Sequence, residues 1–315
     1  MVRLPLYKQI PLVSTRILLG LAFLVGGAPL AAVSIEATRL GHDHAGSLWA
    51  WNRDKSELVI VAANGSRRIL EIGAASAVDA HAEWGVAAVT GQSDEVVILS
   101  WDGVTRRRVP LQLKLSNLAW LAPGQVVVAP AAYPFLLGVL DIETGKVEDW
   151  IGKLEQVPTH PGAYFGRSTL LAVDFERERI HTLDSLSGEY RLFGFSGAEL
   201  GSSFVANPRR PALDDWLANV DAQARQRGSV EFPTMWVFSL GLDEEGKAWT
   251  VQSCEPTTGR VVLARFEAGR APELHEVTLD CCTQNMTVHS GSLVMAPVPR
   301  VAEDLRCSTE RRLPR

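Results

Sequence analysis

The chain has no cysteine before residue 254; its four, Cys254, Cys281, Cys282 and Cys307, all fall in the last fifth of the sequence. None stands near the apolar N-terminal run, which leaves no place for a bacterial lipoprotein anchor. There is no long acidic or basic run either. Lys plus Arg number 31 against 36 Asp plus Glu, a formal charge of −5. That balance argues against nucleic acid as a partner, because phosphate contacts draw on a basic surface. No G-x-S-x-G elbow, no P-loop and no H-E-x-x-H occurs, so the chemistries that rest on those motifs have no support here. Past the N-terminus only one stretch carries helical periodicity, which excludes an α-rich fold.

What is present is a repeat. Leu48 to Trp51, Glu57 to Val61, Asn64-Gly65 and Arg68 to Ile72 make one copy. Val86 to Val89, Val96 to Leu99, Asp102-Gly103 and Arg107 to Val109 make a second. A third runs from Gln125 through Thr144-Gly145 to Val147, and a fourth from Leu170 through Ser187-Gly188 to Phe193. Asn-Gly and Asp-Gly between β-rich runs are hairpin signals, since a type I′ turn needs positive φ at both central residues. The turn glycines Gly65, Gly103, Gly145 and Gly188 recur about every 40 residues, the period of a β-propeller blade. Such a blade cannot bury both faces alone and must stack on neighbours.

Arg3, Lys8 and Arg16 precede an apolar run from Ile17 to Val33 that is interrupted by Gly20, Gly26, Gly27 and Pro29. This is the layout of a secretory signal, with Ala32-Val33-Ser34 as small residues for cleavage; an uncleaved membrane anchor is the alternative. The expected division is 1–34 as signal and 35–315 as propeller, placing the protein in the periplasm or outside the cell. Residues 35–40 alternate apolar and polar, and are expected to pair with the C-terminal blade and close the ring.

Between Gly188 and Thr258-Gly259 the spacing stretches, and a helix fits the excess. Leu213, Trp216, Leu217, Val220 and Ala224 share one helical face, Asp214 and Asp215 stand near its N-terminus, and Gly228 ends it. This insertion, at about 200–230, is expected to cover a rim of the ring or a ligand site. After it come Gly241-Leu242-Asp243, Glu244-Glu245-Gly246 and Lys247-Ala248-Trp249-Thr250-Val251. This segment resembles the six-bladed propellers of the NHL and gluconolactonase-like (TolB-like) group, whose blades read small-Leu-Asp, acidic turn, Gly, then an aromatic strand. With the period, the resemblance implies an all-β, six-bladed β-propeller with one short helical insertion. Lactonases of that group hold a divalent metal through an early Glu, two Asn and an Asp, a set that has no match in this chain.

The remaining candidates are few. His42, Asp43 and His44 offer two imidazoles on one face of an extended strand and a carboxylate, a set able to hold a divalent metal. His81, His160, His181, His275 and His289 stand singly. Nine tryptophans are present; Trp49, Trp84, Trp120, Trp236 and Trp249 lie in or beside strands, where they pack between blades or line the channel mouth. In an oxidising compartment Cys254 is expected to bridge to one of Cys281 and Cys282, and Cys307 to the other, since a bridge between neighbouring cysteines is strained. The expected function is an exported binding or scaffolding module for a protein, peptide or glycan. The alternative is a metal-dependent, lactonase-like hydrolase with its site in the central channel.

Overall fold

In the computed structural model the described residues are 24–25, 28–29, 39–42, 47–53, 55–62, 66–90, 93–131, 134–154, 169–185, 187–205, 215, 219, 222, 225–226, 239–255, 258–278, 285–289, 292–296 and 310–312. They form a β-propeller of antiparallel sheets, each built from strands consecutive in the chain. Five sheets have four strands. The first holds Arg39–His42, Leu48–Asn52, Glu57–Val61 and Arg67–Glu71; the second holds Ala75–His81, Gly85–Thr90, Glu95–Leu99 and Thr105–Pro110. The third holds Leu115–Ala122, Gln125–Pro130, Phe135–Asp141 and Lys146–Lys153, and the fourth Thr169–Asp174, Arg179–Asp184, Glu189–Gly194 and Glu199–Phe204. The fifth holds Gly241–Leu242, Ala248–Glu255, Arg260–Phe266 and Glu273–Thr278. A three-stranded sheet, Asn285–His289, Ser292–Ala296 and Glu310–Arg312, follows.

The burial pattern explains the order of strands within a blade. Second and third strands are apolar on both faces, as in Leu48–Asn52 and Gln125–Pro130, because each is sandwiched between two neighbouring sheets. Fourth strands are exposed and charged: Arg67 and Arg68 in the first blade and Arg106 to Arg108 in the second face solvent. Charge along an outer edge discourages pairing with another chain. Each first strand lies innermost and packs on the first strand of the next blade.

Apolar residues fill the seams between sheets. Trp49, Trp51 and Leu58 meet Val78, Val86 and Val97 between blades one and two. Leu118, Trp120 and Leu140 meet Val89, Val96 and Ile98 between blades two and three. Tyr190 stacks on Phe266 at a centroid distance of 4.7 Å between blades four and five. The ring closes where Val294 of the three-stranded sheet packs against Leu48, Ala50, Val59 and Val61 of the first blade.

Three expectations are corrected. The propeller has five four-stranded blades rather than six, and the last sheet has three strands among the described residues. Arg39 and Leu40 do not pair with the C-terminal sheet: they are opposite Trp51 and Ala50, as the innermost strand of the first blade. A five-residue link between His42 and Leu48 makes that hairpin the local choice, and among the described residues closure is by packing instead of strand exchange. Residues 35–38 lie outside the described residues. The phase of the fourth repeat also shifts. Gly103 and Gly145 lie between third and fourth strands, whereas Gly188 lies between a second and a third; its counterpart there is Gly197. Gly65 lies outside the described residues.

In the insertion, Asp215, Asn219, Ala222, Arg225 and Gln226 are helical and exposed, and Asn219 donates to the Asp215 carbonyl at 2.8 Å. They occupy the polar side of the expected helix; its apolar side, with Leu213, Trp216, Leu217, Val220 and Ala224, lies outside the described residues. In the N-terminal segment the description is limited to Leu24–Val25 paired with Ala28–Pro29. Among the described residues no helix is long and apolar enough to cross a membrane.

Candidate functional site at the channel mouth

The innermost strands surround a cavity of about 350 Å³ on the ring axis. One mouth of it is built by the turns from first to second strands. Asp174 ends the first strand of blade four; its carboxylate accepts the Arg177 N–H at 3.1 Å and pairs with the Arg177 guanidinium at 3.2 Å. Asp243 does the same in blade five: it accepts the Lys247 N–H and the Trp249 indole N–H, each at 2.8 Å. Those two bonds are the physical content of the Leu-Asp, acidic turn, Gly, aromatic pattern read in the sequence. The aspartate closes the turn and anchors the aromatic residue that follows.

The two turns interlock. Arg177 donates to the Glu244 carbonyl at 3.0 Å. Gly246 lies against the Asp174 carboxylate and the Arg177 side chain so closely that a Cβ would collide with both, and its φ of +73° is in the region that favours glycine.

Beside this pair stands an aromatic group assembled from different blades. His81 stacks on Trp84 with centroids 3.5 Å apart and planes 9° from parallel. Phe175, from blade four, meets the edges of both at 5.2 and 5.5 Å, and Trp84 meets Trp120 of blade three at 5.7 Å. Trp120 is held by two hydrogen bonds, its indole N–H to the Gly85 carbonyl at 3.1 Å and its backbone N–H to the Asp79 carboxylate at 2.8 Å. Asp79, His81, Trp120 and Phe175 all line the cavity.

Of the expected metal set, His42 lines the cavity, with its Nδ1 3.3 Å from the Thr287 hydroxyl. Asp43 and His44 lie outside the described residues, and no group of three His, Cys, Asp or Glu residues suited to a metal occurs among the described ones. The Cys254 backbone pairs with Val261 in blade five, while Cys281, Cys282 and Cys307 lie outside the described residues. Among the described residues there is no disulfide.

His181, read from sequence as one of several single histidines, is buried in blade four with its Nδ1 2.8 Å from the Tyr190 hydroxyl and no partner for Nε2. Burial pulls its pKa down to about 4 and pushes that of Tyr190 up. The grouping of His81 with Trp84 and Phe175 was not legible: Phe175 is 94 residues away in sequence. The Ala-Trp and Glu-Trp contexts of Trp120 and Trp84 carry no mark that sets them apart from the other tryptophans.

No family model and no curated protein matches the chain. Similar solved structures exist at low identity. One is a chain of the mitotic checkpoint complex, 10% identical, covering 91% of this chain and 80% of that one with a TM-score of 0.50. Another is virginiamycin B lyase from Staphylococcus aureus, 10% identical, covering 86% and 78% with a TM-score of 0.49. A third is the β-propeller domain of Cps50 (Swd1) from Myceliophteria thermophila, 12% identical, covering 83% and 79% with a TM-score of 0.46. The names of these neighbours include an enzyme and a member of a protein complex, so the likeness extends to the fold and stops there.

Proposed function

We propose that this chain is an exported binding module that takes a protein, peptide or glycan at the mouth of its central channel. The observation that carries this is the convergence of His81, Trp120 and Phe175, from three blades, in the wall of a cavity, with Trp84 packed against all three. Aromatic faces beside a cavity with a few fixed polar groups are the usual makeup of a binding site. The carboxylates of Asp79, Asp174 and Asp243 meanwhile hold N–H groups of the protein itself, which is structural work. Export rests on the charged and apolar N-terminal segment, and N-terminal sequencing of the mature protein tests it. In this reading the three-stranded C-terminal sheet fills the sector of the ring between blades five and one. Bridges from Cys254 and Cys307 to Cys281 and Cys282 strengthen that sector; non-reducing peptide mapping tests them.

The alternative, a metal-dependent hydrolase in the channel, draws on His42 in the cavity wall. Screening the purified full chain on peptide and glycan arrays separates the two. A binding module gives hits that Phe175→Ala abolishes and that survive chelator. Hits indifferent to Phe175→Ala, or a stoichiometric metal whose removal abolishes lactone hydrolysis, would overturn the binding reading.

A further inference from the structure

Four of the five outer strands carry charge along their free edges: Arg67 and Arg68 in blade one, Arg106 to Arg108 in blade two, Glu148 and Asp149 in blade three, Glu273 and Glu276 in blade five. The outer strand of blade four, Glu199–Phe204, departs from this. Its one charge, Glu199, stands at the first position, and Leu-Gly-Ser-Ser-Phe follows. It is the outermost strand of its sheet, and among the described residues no strand pairs with its free edge. A free edge without charge is a template for another strand.

The two faces of this strand differ. Gly201 and Ser203 face blade five: Gly201 lies against Ala268 and Gly269, and the Ser203 hydroxyl donates to the Arg270 carbonyl at 2.6 Å. Leu200, Ser202 and Phe204 are turned to solvent, Leu200 at 51% and Phe204 at 64% exposure. Phe204 is the most exposed large apolar side chain among the described residues. The ladder to the third strand shifts between Glu199 and Gly201 and leaves Leu200 with no residue opposite it. An aliphatic and an aromatic side chain thus stand uncovered beside a free backbone edge, a combination that marks an interaction surface.

We propose that this edge pairs with the same edge of a second copy of the chain. A two-fold axis through Ser202, normal to the sheet, runs the two strands antiparallel and joins two four-stranded sheets into one. In that register Leu200 of each copy stands opposite Phe204 of the other, an aliphatic–aromatic cross-strand pair made twice. Ser202 meets its own counterpart. Gly201 meets Ser203, and both are small enough to let the backbones approach beside the turns of blade five. Glu199 falls opposite Val205, so the two carboxylates stand at opposite ends of the pair and no like charges meet. The same operation about Arg107 in blade two would set Arg106 against Arg108 and Arg107 against itself, which is repulsive. The self-complementarity of the blade-four edge is what points to a copy of the chain and not to a foreign strand. One strand and its flanking side chains make a smaller contact than a permanent dimer has, so the pair exchanges with monomer and its population follows concentration. This surface is separate from the channel mouth, and neither reading depends on the other.

The test is sedimentation velocity of the full chain over about a hundredfold range of concentration. A reversible monomer–dimer equilibrium is expected. Phe204→Lys and Leu200→Glu, each at an exposed position outside the core, should each weaken the dimer at least about tenfold. Combined in one chain they set opposite charges against each other across the axis, and the double variant should recover a dimer that weakens as salt rises. Ile69→Lys, at an exposed apolar position on the outer strand of blade one, should change nothing. A chain that stays monomeric throughout would overturn the proposal and leave the edge to a different partner. So would a dimer that both single variants leave intact, which would place the contact elsewhere, or a double variant that stays monomeric, which would exclude this pairing.

Discussion

Two seams of this ring differ in the parts of the chain they join. Between blades two and three, Leu118, Trp120, Val126, Val128 and Leu140 interlock with Ala87, Val89, Val96 and Ile98, and Trp84 and Phe175 pack on the edge. Between the C-terminal sheet and blade one, the described core is Leu48, Ala50, Val59 and Val61 against Val294, with Leu40 beside them. Apolar area removed from water is the dominant stabilising term. The first seam therefore holds the ring by bulk, and the second joins the two ends of the chain, where among the described residues Val294 meets an aliphatic group. Among the described residues no strand is lent across it, and as the meeting point of the chain's two ends it is expected to open first.

The largest effect should come from the strong seam. Trp120 is 1% exposed, and Trp120→Ala removes the ring and its hydrogen bond to Gly85 together. We expect a loss of about 3–5 kcal/mol in chemical denaturation. A loss under about 1 kcal/mol would show that this seam is not the main anchor.

Next in size is a pH effect inside blade four. His181 titrates near 4 in the folded protein because of burial, against an ordinary 6.5. Between those values the unfolded chain takes up a proton that the folded chain refuses, so stability falls as pH drops from 6.5 towards 4. The total is on the order of 3 kcal/mol. His181→Gln should flatten that part of the stability profile, read as melting temperature against pH. A parent and variant that fall in parallel would assign the acid sensitivity elsewhere.

The contrast between seams also explains what the sequence made legible. Second and third strands such as Val96 to Leu99 and Gln125 to Val128 are continuous apolar runs, because both faces are covered, and they stand out. The turn glycines stand out for a backbone reason, and Gly103, Gly145 and Gly188 do have positive φ. The innermost strands Ala75–His81 and Leu115–Ala122 escaped notice as a class. They face a seam on one side and the channel on the other, so they mix small, polar and apolar residues without a clear period. Missing them is what misassigned residues 35–40 to the far end of the chain. The candidate site was hidden for the same reason. Asp79 and His81 belong to such a strand, and their neighbours Trp120 and Phe175 come from other blades. Spacing reports only neighbours within a blade.

A smaller effect is expected at the seam between the chain's two ends. Val294→Ala removes two methyl groups from a residue that is 3% exposed, a loss of about 1.5 kcal/mol. Its signature is location. Amide exchange should quicken first in Leu48–Asn52 and Ser292–Ala296 while the second and third blades keep their protection. Uniform quickening around the ring would mean that the seams open together and that closure is no weaker than the rest.

The smallest effect returns to the strong seam and asks what else holds it. Arg107, on the outer strand of blade two, meets the Glu143 carboxylate of blade three at 3.0 Å, and also donates to the Glu143 carbonyl. The two side chains are 41% and 71% exposed. Water and salt screen such a pair, and ordering two long side chains offsets part of what attraction remains; pairs of this kind contribute roughly 0–1 kcal/mol. Glu143→Gln keeps the backbone carbonyl that Arg107 also uses and removes only the charge. It should therefore shift stability by less than about 1 kcal/mol at low salt, and the shift should vanish as salt rises. Measured beside Trp120→Ala, it weighs surface charge against buried area across one seam. A loss comparable to that of Trp120→Ala would mean that the blades are clamped from outside, and the argument for a seam held by bulk would fall.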